Sequence, residues 1–178
     1  KMCCEILQFI PDFQMNINVS YVQITQGSVE DDIIEVIKKY ALDPASICIE
    51  MTESGFIDMT IPFIRFRHKL ESNRIHFVID DFGTGYSNLH CISDMNPDYI
   101  KIDRDFTAKA MDGQRDYELF KNIITMIHSV NARICVEGIE QREWCQKMKK
   151  MGADLLQGYF YGKPCKKSDF ITNYVRGN

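Results

Sequence analysis

The sequence predicts an α/β fold built from successive βα units around a parallel sheet. Two observations predict it. Short apolar runs rich in β-branched residues alternate with stretches whose apolar residues recur at helical spacing, and each apolar run ends on a polar residue. That alternation belongs to parallel sheets covered by helices. The strand-end residues recur from Asn18 to Gln157 at roughly 30 residues each, the length of one unit in an eight-unit barrel of ~250 residues. The predicted architecture is a TIM-like (β/α)8 barrel, with about six of its βα units in this chain and its site at the C-terminal ends of the strands.

Each element has its own signal. Residues 13–19 form an apolar run that carries Asn18, and 47–49 lead to Glu50. The run 77–79 stops at Asp80 and Asp81, and 99–100 at Lys101. Residues 133–136 lead to Glu137, and 155–156 to Gln157. Between them, 29–40, 61–70, 117–129, 142–151 and 168–175 read as amphipathic helices. A short helix is expected over 87–92, after the turn Gly83-Thr84-Gly85. A single polar residue at a strand end is ordinarily a turn or a helix cap. Six in succession, five of them offering oxygen ligands and the other a lysine, point to a shared pocket instead.

Composition narrows the class. The 178 residues are 45% hydrophobic, enough for one core, with no Pro/Gly/Ser-rich linker, internal repeat or low-complexity tract. The formal charge of −4 excludes a generally basic nucleic-acid surface. The run Lys147-Met148-Lys149-Lys150 reads as the solvated face of a helix. Seven cysteines show neither Cys-x-x-Cys nor a pairing with histidine, and Cys48 and Cys135 sit inside apolar runs, as reduced, buried thiols do. That usage suits a cytoplasmic domain. His68, His76, His90 and His128 lack metal-ligand spacing and read as surface or packing residues.

The most informative segment is Val78-Ile79-Asp80-Asp81-Phe82-Gly83-Thr84-Gly85-Tyr86-Ser87, where a buried strand ends in adjacent carboxylates. Paired aspartates repel unless a cation lies between them. The glycine turn is not a nucleotide P-loop, because no Gly-Lys-Ser/Thr follows at the required spacing.

With these segments in view, the chain resembles the EAL-domain family of cyclic di-GMP phosphodiesterases over about residues 13–164. The matching segments are Asn18-Val19-Ser20, Glu50-Met51-Thr52-Glu53-Ser54, Asp80 through Leu89, Asp98 through Arg104, Glu137-Gly138-Ile139-Glu140, and Gln157 through Pro164. The Glu-Ala-Leu motif that names the family, expected upstream of Asn18, is not in this sequence. The resemblance therefore implies an N-terminally truncated EAL domain over residues 1–178, lacking about a quarter of the barrel, whose activity as a fragment is absent or impaired.

The resemblance implies hydrolysis of cyclic di-GMP to linear pGpG with two Mg²⁺ or Mn²⁺ ions. Asn18, Glu50 and Asp80 would hold one ion with the absent glutamate, and Asp80, Asp81 and Glu137 the other. Lys101 would orient the attacking water. Glu137 would also accept its proton, with Gln157 and Glu140 in support and Glu53 fixing the loop after Asp81. Charge accounting agrees: several acids facing one pocket, with Lys101 as the clear cation, need divalent ions before an anionic substrate can approach. The family also implies a homodimer through the loop after Asp81. An upstream regulatory domain is expected in the full-length protein; no apolar run here approaches ~18 residues, so any membrane anchor is expected in the missing N-terminal region, and the net charge leaves no expectation of extended nucleic acid. Two alternatives stand beside the hydrolase. One is a non-catalytic cyclic di-GMP receptor of the same fold, and the other a site that abstracts a proton beside a carboxylate with Mg²⁺ and a lysine.

Overall fold

Six strands follow one another across a single sheet in the order β1-β2-β3-β4-β5-β6. They are β1 (Met15–Asn18), β2 (Ile47–Thr52), β3 (His76–Phe82), β4 (Tyr99–Ile102), β5 (Arg133–Val136) and β6 (Leu155–Leu156). The pairs β3/β4, β4/β5 and β5/β6 are parallel. Parallel neighbours in chain order, with helices between them, are the signature of the (β/α)8 barrel, and this chain supplies six of its strands. The computed structural model describes residues 2–7, 10, 13–52, 59–84 and 89–175.

The helices are α1 (Met2–Leu7), α2 (Tyr21–Gln26), α3 (Val29–Lys39), α4 (Ile61–Ser72), α5 (Leu89–Met95), α6 (Arg104–Asp112), α7 (Gln114–Ser129), α8 (Arg142–Met151) and α9 (Lys167–Phe170). The turn Ile171–Val175 continues α9. All six expected strands and the expected long helices are present. Helix α5 runs through Met95, beyond the expected end at 92, and residues 87–88 of that expectation lie outside the described residues. Helices α1, α2 and α6 are additions to the sequence reading. Helix α2 is only 6 residues long, too short for periodicity to register, yet it has a capping box. Ser20 Oγ accepts from the Gln23 backbone N–H at 3.3 Å, and the Gln23 side chain accepts from Ser20 N–H at 2.9 Å.

The chain divides into two compact units. The first comprises Lys1–Ile49, Thr60–His76 and Pro164–Asn178. Its core holds Ile24, Phe63, Phe66 and Leu70, each at most 1% exposed, with the Tyr21 and Phe63 rings 6.2 Å apart. Helix α3 has Glu30, Asp31 and Asp32 in its first turn and Lys38 and Lys39 in its last, a distribution that complements the helix dipole.

The second unit comprises Glu50–Met59 and Phe77–Lys163. Phe77, Ile100, Ile102, Phe120, Ile127, Ile134 and Val136 are fully buried in it. The starts of its strands are fastened by a repeated device. Asp98, just before β4, accepts the Phe77 N–H at 2.8 Å, and Asp154, just before β6, accepts the Ile134 N–H at 2.8 Å. Each carboxylate satisfies a backbone donor near the start of the neighbouring strand. Asp154 also meets His128 Nε2 at 2.9 Å; that histidine is exposed on the surface, with a carboxylate as its partner. Cys48, Cys135 and Cys145 are buried free thiols, and Cys165 is an exposed one. Among the described residues no helix is long and apolar enough to cross a membrane.

Candidate metal centre

Successive side chains of a strand point to opposite faces, so Asp80 and Asp81 would ordinarily diverge. The backbone prevents this. The register of β3 on β4 shifts between Ile79 and Phe82: Ile79 lies against Ile100 and Phe82 against Ile102. Two residues, Asp80 and Asp81, therefore stand where β4 has one, Lys101, which is a β-bulge. Asp81 adopts a positive φ of 55°, a conformation aspartate tolerates better than most residues. The chain then turns at Gly83, and Thr84 donates to the Asp81 carbonyl through both N–H and hydroxyl, at 3.2 and 2.9 Å.

On β4 the residues flanking Lys101, Ile100 and Ile102, are buried without exposure. Lys101 itself meets three carboxylates: Glu137 Oε1 at 2.8 Å, Asp80 Oδ1 at 2.9 Å and Glu50 Oε1 at 3.0 Å. Glu50 projects from β2 between the buried Ile49 and Met51. Glu137 directly follows β5, and its N–H donates to Ile102 O at 3.1 Å. Asp80, Asp81 and Glu137 can each offer a carboxylate oxygen within 4.8 Å of the other two.

Protonation equilibria record the crowding. Burial raises the Glu137 carboxyl above its ordinary value, opposed by the hydrogen bond from Lys101. Burial also raises Asp81, with Asp80 and Asp103 adding like charge. Burial disfavours the Lys101 ammonium, but the hydrogen bonds to Glu137 and Asp80 and the charge of Glu50 outweigh it and hold the lysine protonated. Cys135, paired in register with Lys101, is pushed up to about 12 by burial and stays a thiol. One ammonium cannot neutralise Glu50, Asp80, Asp81 and Glu137 together. The donor set is all carboxylate oxygen, the chemistry that Mg²⁺ and Mn²⁺ accept.

Two glycines bring the backbone behind Glu137 into close contact. A Cβ on Gly138 (φ +74°) would lie 2.6 Å from Arg104 Cβ, and one on Gly158 would lie 2.2 Å from the Ile139 carbonyl oxygen. Ile139 N–H bonds Gln157 O at 3.0 Å and Phe160 N–H bonds Ile139 O at 2.9 Å, which fastens the segment after β6 to the segment that carries Glu137.

The structure thus brings together Glu50, Asp80, Asp81, Lys101 and Glu137. Glu140 and Gln157 are exposed on the segments just described. Asn18 ends β1, in the first unit. Glu53 lies outside the described residues, as do 85–88 of the loop after Asp81. Sequence reasoning missed the bulge, for which the one available signal was two consecutive acids at the end of an otherwise apolar strand.

A family model described as EAL domain matches residues 1–164. The chain belongs to the EAL domain family. It is 29% identical to the cyclic di-GMP phosphodiesterase PdeL of Escherichia coli K12 over 171 residues, which cover 96% of this chain and 47% of PdeL. Among solved structures, the EAL enzyme Bd1971 in its cAMP- and cyclic-di-GMP-bound form superposes with a TM-score of 0.88 at 29% identity, covering 96% of this chain and 47% of that one. The EAL domain of Mycobacterium smegmatis DcpA gives a TM-score of 0.88 at 26% identity, covering 99% of this chain and 82% of its own. The chain spans less than half the length of the curated relatives it matches, 47% for PdeL. EAL membership carries the barrel architecture with it.

Proposed function

We propose that this EAL chain belongs to a phosphodiesterase that opens cyclic di-GMP to linear pGpG with two divalent cations, Mg²⁺ or Mn²⁺. The observation that carries this reading is the convergence of Glu50, Asp80 and Glu137 on Lys101 at 2.8–3.0 Å, with Asp81 beside them. PdeL, a relative over most of this chain, is named a cyclic di-GMP phosphodiesterase.

In this reading Asn18, Glu50 and Asp80 would hold one ion together with the glutamate of the Glu-Ala-Leu motif, and Asp80, Asp81 and Glu137 would hold the other. Bound there, such ions would supply the positive charge that offsets the acids and the phosphodiester and would lower the pKa of a water. Lys101 orients that water and offers N–H groups to the charge that develops on the phosphoryl oxygens. Glu137, whose carboxyl burial raises, is suited to take the proton. Glu140 and Gln157 support these groups, and Glu53 steadies the loop after Asp81, through which two copies pair. The setting is a cytoplasmic signalling protein with an upstream regulatory domain. Without the Glu-Ala-Leu segment, the chain by itself turns over little substrate.

The test is turnover of cyclic di-GMP by the full-length protein with Mg²⁺ or Mn²⁺, before and after chelation. Formation of pGpG that stops on chelation supports the proposal. Turnover that survives complete metal removal overturns the two-metal account. Tight binding without turnover selects the receptor reading. Proton exchange on a simple carboxylic acid, with cyclic di-GMP untouched, selects the enolase-type one.

A further inference from the structure

Arg104 begins α6, directly after its cap Asp103, against the grain of the helix dipole. The first turn of a helix carries the positive end of that dipole, which favours acids and disfavours cations. The neighbouring acid does not account for the arginine. Arg104 Nε meets Asp105 Oδ1 at 3.5 Å, but the two side chains are 76% and 78% exposed, and an ion pair so open to water contributes little to folding. A residue that works against its own element is a place to look for function.

The position of Arg104 is fixed from two sides. It stands three residues beyond Lys101, past the C-terminal end of β4, where the loops of a barrel gather around the site. Its stem lies against the backbone that follows Glu137: a Cβ on Gly138 would come within 2.6 Å of Arg104 Cβ and 2.9 Å of its Cα. The guanidinium reaches solvent from this edge of the acid cluster, next to Asp103, whose charge bears on Asp81. Glu50, Asp80, Asp81 and Glu137 outnumber Lys101, so an anion approaching this face meets repulsion that a cation at the rim offsets.

We propose that Arg104 is a substrate-binding residue that holds the phosphodiester of cyclic di-GMP that is not being cut. The inference rests on the phosphodiesterase reading above and adds a residue to it. Cyclic di-GMP is a ring with two phosphodiesters, and the cluster at Lys101 serves the one under attack. The other keeps its charge throughout the reaction, so a cation that holds it binds substrate and transition state alike. Such uniform binding lowers KM and leaves kcat in place. A guanidinium suits the task, because its planar fork meets two phosphate oxygens at once and its charge persists at every working pH. With no side chain at Gly138, the arginine stem sits directly on the segment of Glu137, which sets the held phosphate relative to the reacting groups.

The experiment is steady-state hydrolysis of cyclic di-GMP by the full-length protein at saturating Mn²⁺, in wild-type, Arg104→Ala, Arg104→Lys, Arg104→Gln and Arg142→Ala forms, with thermal unfolding of each. Arg142 is the charge-matched control, since it likewise begins a helix, α8, from an exposed position. Alanine keeps the Cβ that packs on Gly138, so Arg104→Ala is expected to melt with wild type. Its KM is expected to rise about 10–100-fold, the worth of a hydrogen bond to a charged group, with kcat unchanged. Its kcat/KM should also fall less steeply with added salt than that of wild type. Lysine should recover much of the loss and glutamine little, and Arg142→Ala should behave as wild type. If alanine lowers the melting temperature, the lysine and glutamine variants, which keep a long stem, decide between charge and packing. A loss confined to kcat, or unchanged kinetics in Arg104→Ala, overturns the inference. So does an equal rise of KM in Arg142→Ala, which would make the effect one of net charge, or recovery by glutamine equal to that by lysine, which would indicate a base edge in place of a phosphate. Absence of hydrolysis by wild type overturns the phosphodiesterase reading together with it.

Discussion

Asp81 donates its backbone N–H to Oδ1 of Asp80 at 3.0 Å, from a backbone φ of 55°. This contact lies at the centre of the bulge that brings both carboxylates to the same place. Asparagine tolerates the left-handed conformation at least as well as aspartate, whereas a β-branched residue there is strained by about 1–2 kcal/mol. Asp81→Asn is expected to keep or slightly raise metal-free stability, because it removes one of several crowded like charges. Asp81→Val is expected to lose about 1–2 kcal/mol. Both should weaken Mn²⁺ binding. Urea unfolding without metal, set beside Mn²⁺ titration, separates the two effects. Equal stability of the two variants would mean that the bulge does not depend on the Asp81 backbone.

The glycines behind Glu137 give a prediction about stability that needs no ligand. A Cβ on Gly158 would lie 2.2 Å from Ile139 O and 2.3 Å from Ile139 N, both backbone atoms that cannot rotate away. Gly158→Ala should cost at least the ~1–3 kcal/mol of an overpacked core. Gly138→Ala meets Arg104 Cβ at 2.6 Å and a positive φ of 74°, and should lose a similar amount. Gly113→Ala is the control. Its nearest neighbour is Asp116 Oδ2 at 3.9 Å and its φ of −150° suits any residue; the entropy that alanine removes from the unfolded chain is offset by its poorer fit at the N-cap of α7, so stability should change by no more than about 0.5 kcal/mol. Denaturant midpoints decide the order.

Much of this architecture was legible because burial and periodicity agree in it. Ile47, Cys48 and Ile49 are at most 3% exposed, and Phe77, Val78 and Ile79 at most 2%. Runs buried on both faces read as unbroken apolar stretches. The acids at their ends were visible for the same reason, as charges where apolar continuity stops. What could not be read were features fixed by tertiary contact. Helix α6 starts on Asp103, which caps it by accepting from Asp105 N–H at 2.8 Å, but its short span carries little periodic signal. The bulge at Asp80 and Asp81 is a matter of register, which depends on β4. The three ion pairs of Lys101 require β2, β3 and the segment after β5 at once, and no local pattern encodes that meeting.

Asp154 makes stability depend on acid. Burial works against its charge, but the Ile134 N–H, His128 and Arg133 more than offset this and lower the carboxyl below its ordinary value of 3.8. A carboxyl depressed in the folded state stabilises fully above its unfolded value, and the contribution is lost as pH falls through the folded one. The contribution of Asp154 to unfolding free energy should therefore decline from about pH 4 downward, by less than about 1 kcal/mol, because the side chain is 35% exposed and solvent screens it. Asp154→Asn can keep an oxygen for the Ile134 N–H while removing the charge, so its acid limb should be flatter than wild type. Superimposable acid limbs would show that the pairing contributes nothing.

The strand that ends in the acids also supplies its own control. His76 is the first residue of β3 and Asp80 lies near its end, so substitutions at the two positions share a strand but differ in chemistry. In the proposed site Asp80 serves both ions, and it already accepts from Lys101 at 2.9 Å and from Asp81 N–H at 3.0 Å. Asp80→Asn removes a charge from that junction and turns an acceptor-only group into one that also presents donors to the lysine. The full-length variant should lose Mn²⁺ binding and about 10²–10³ in turnover of cyclic di-GMP, the scale on which loss of a charge-stabilising group acts. His76→Gln should leave both unchanged. Parallel Mn²⁺ titrations and product assays on the two variants make the comparison. Near-normal turnover in Asp80→Asn, or equal losses in both, would place the chemistry elsewhere in the molecule.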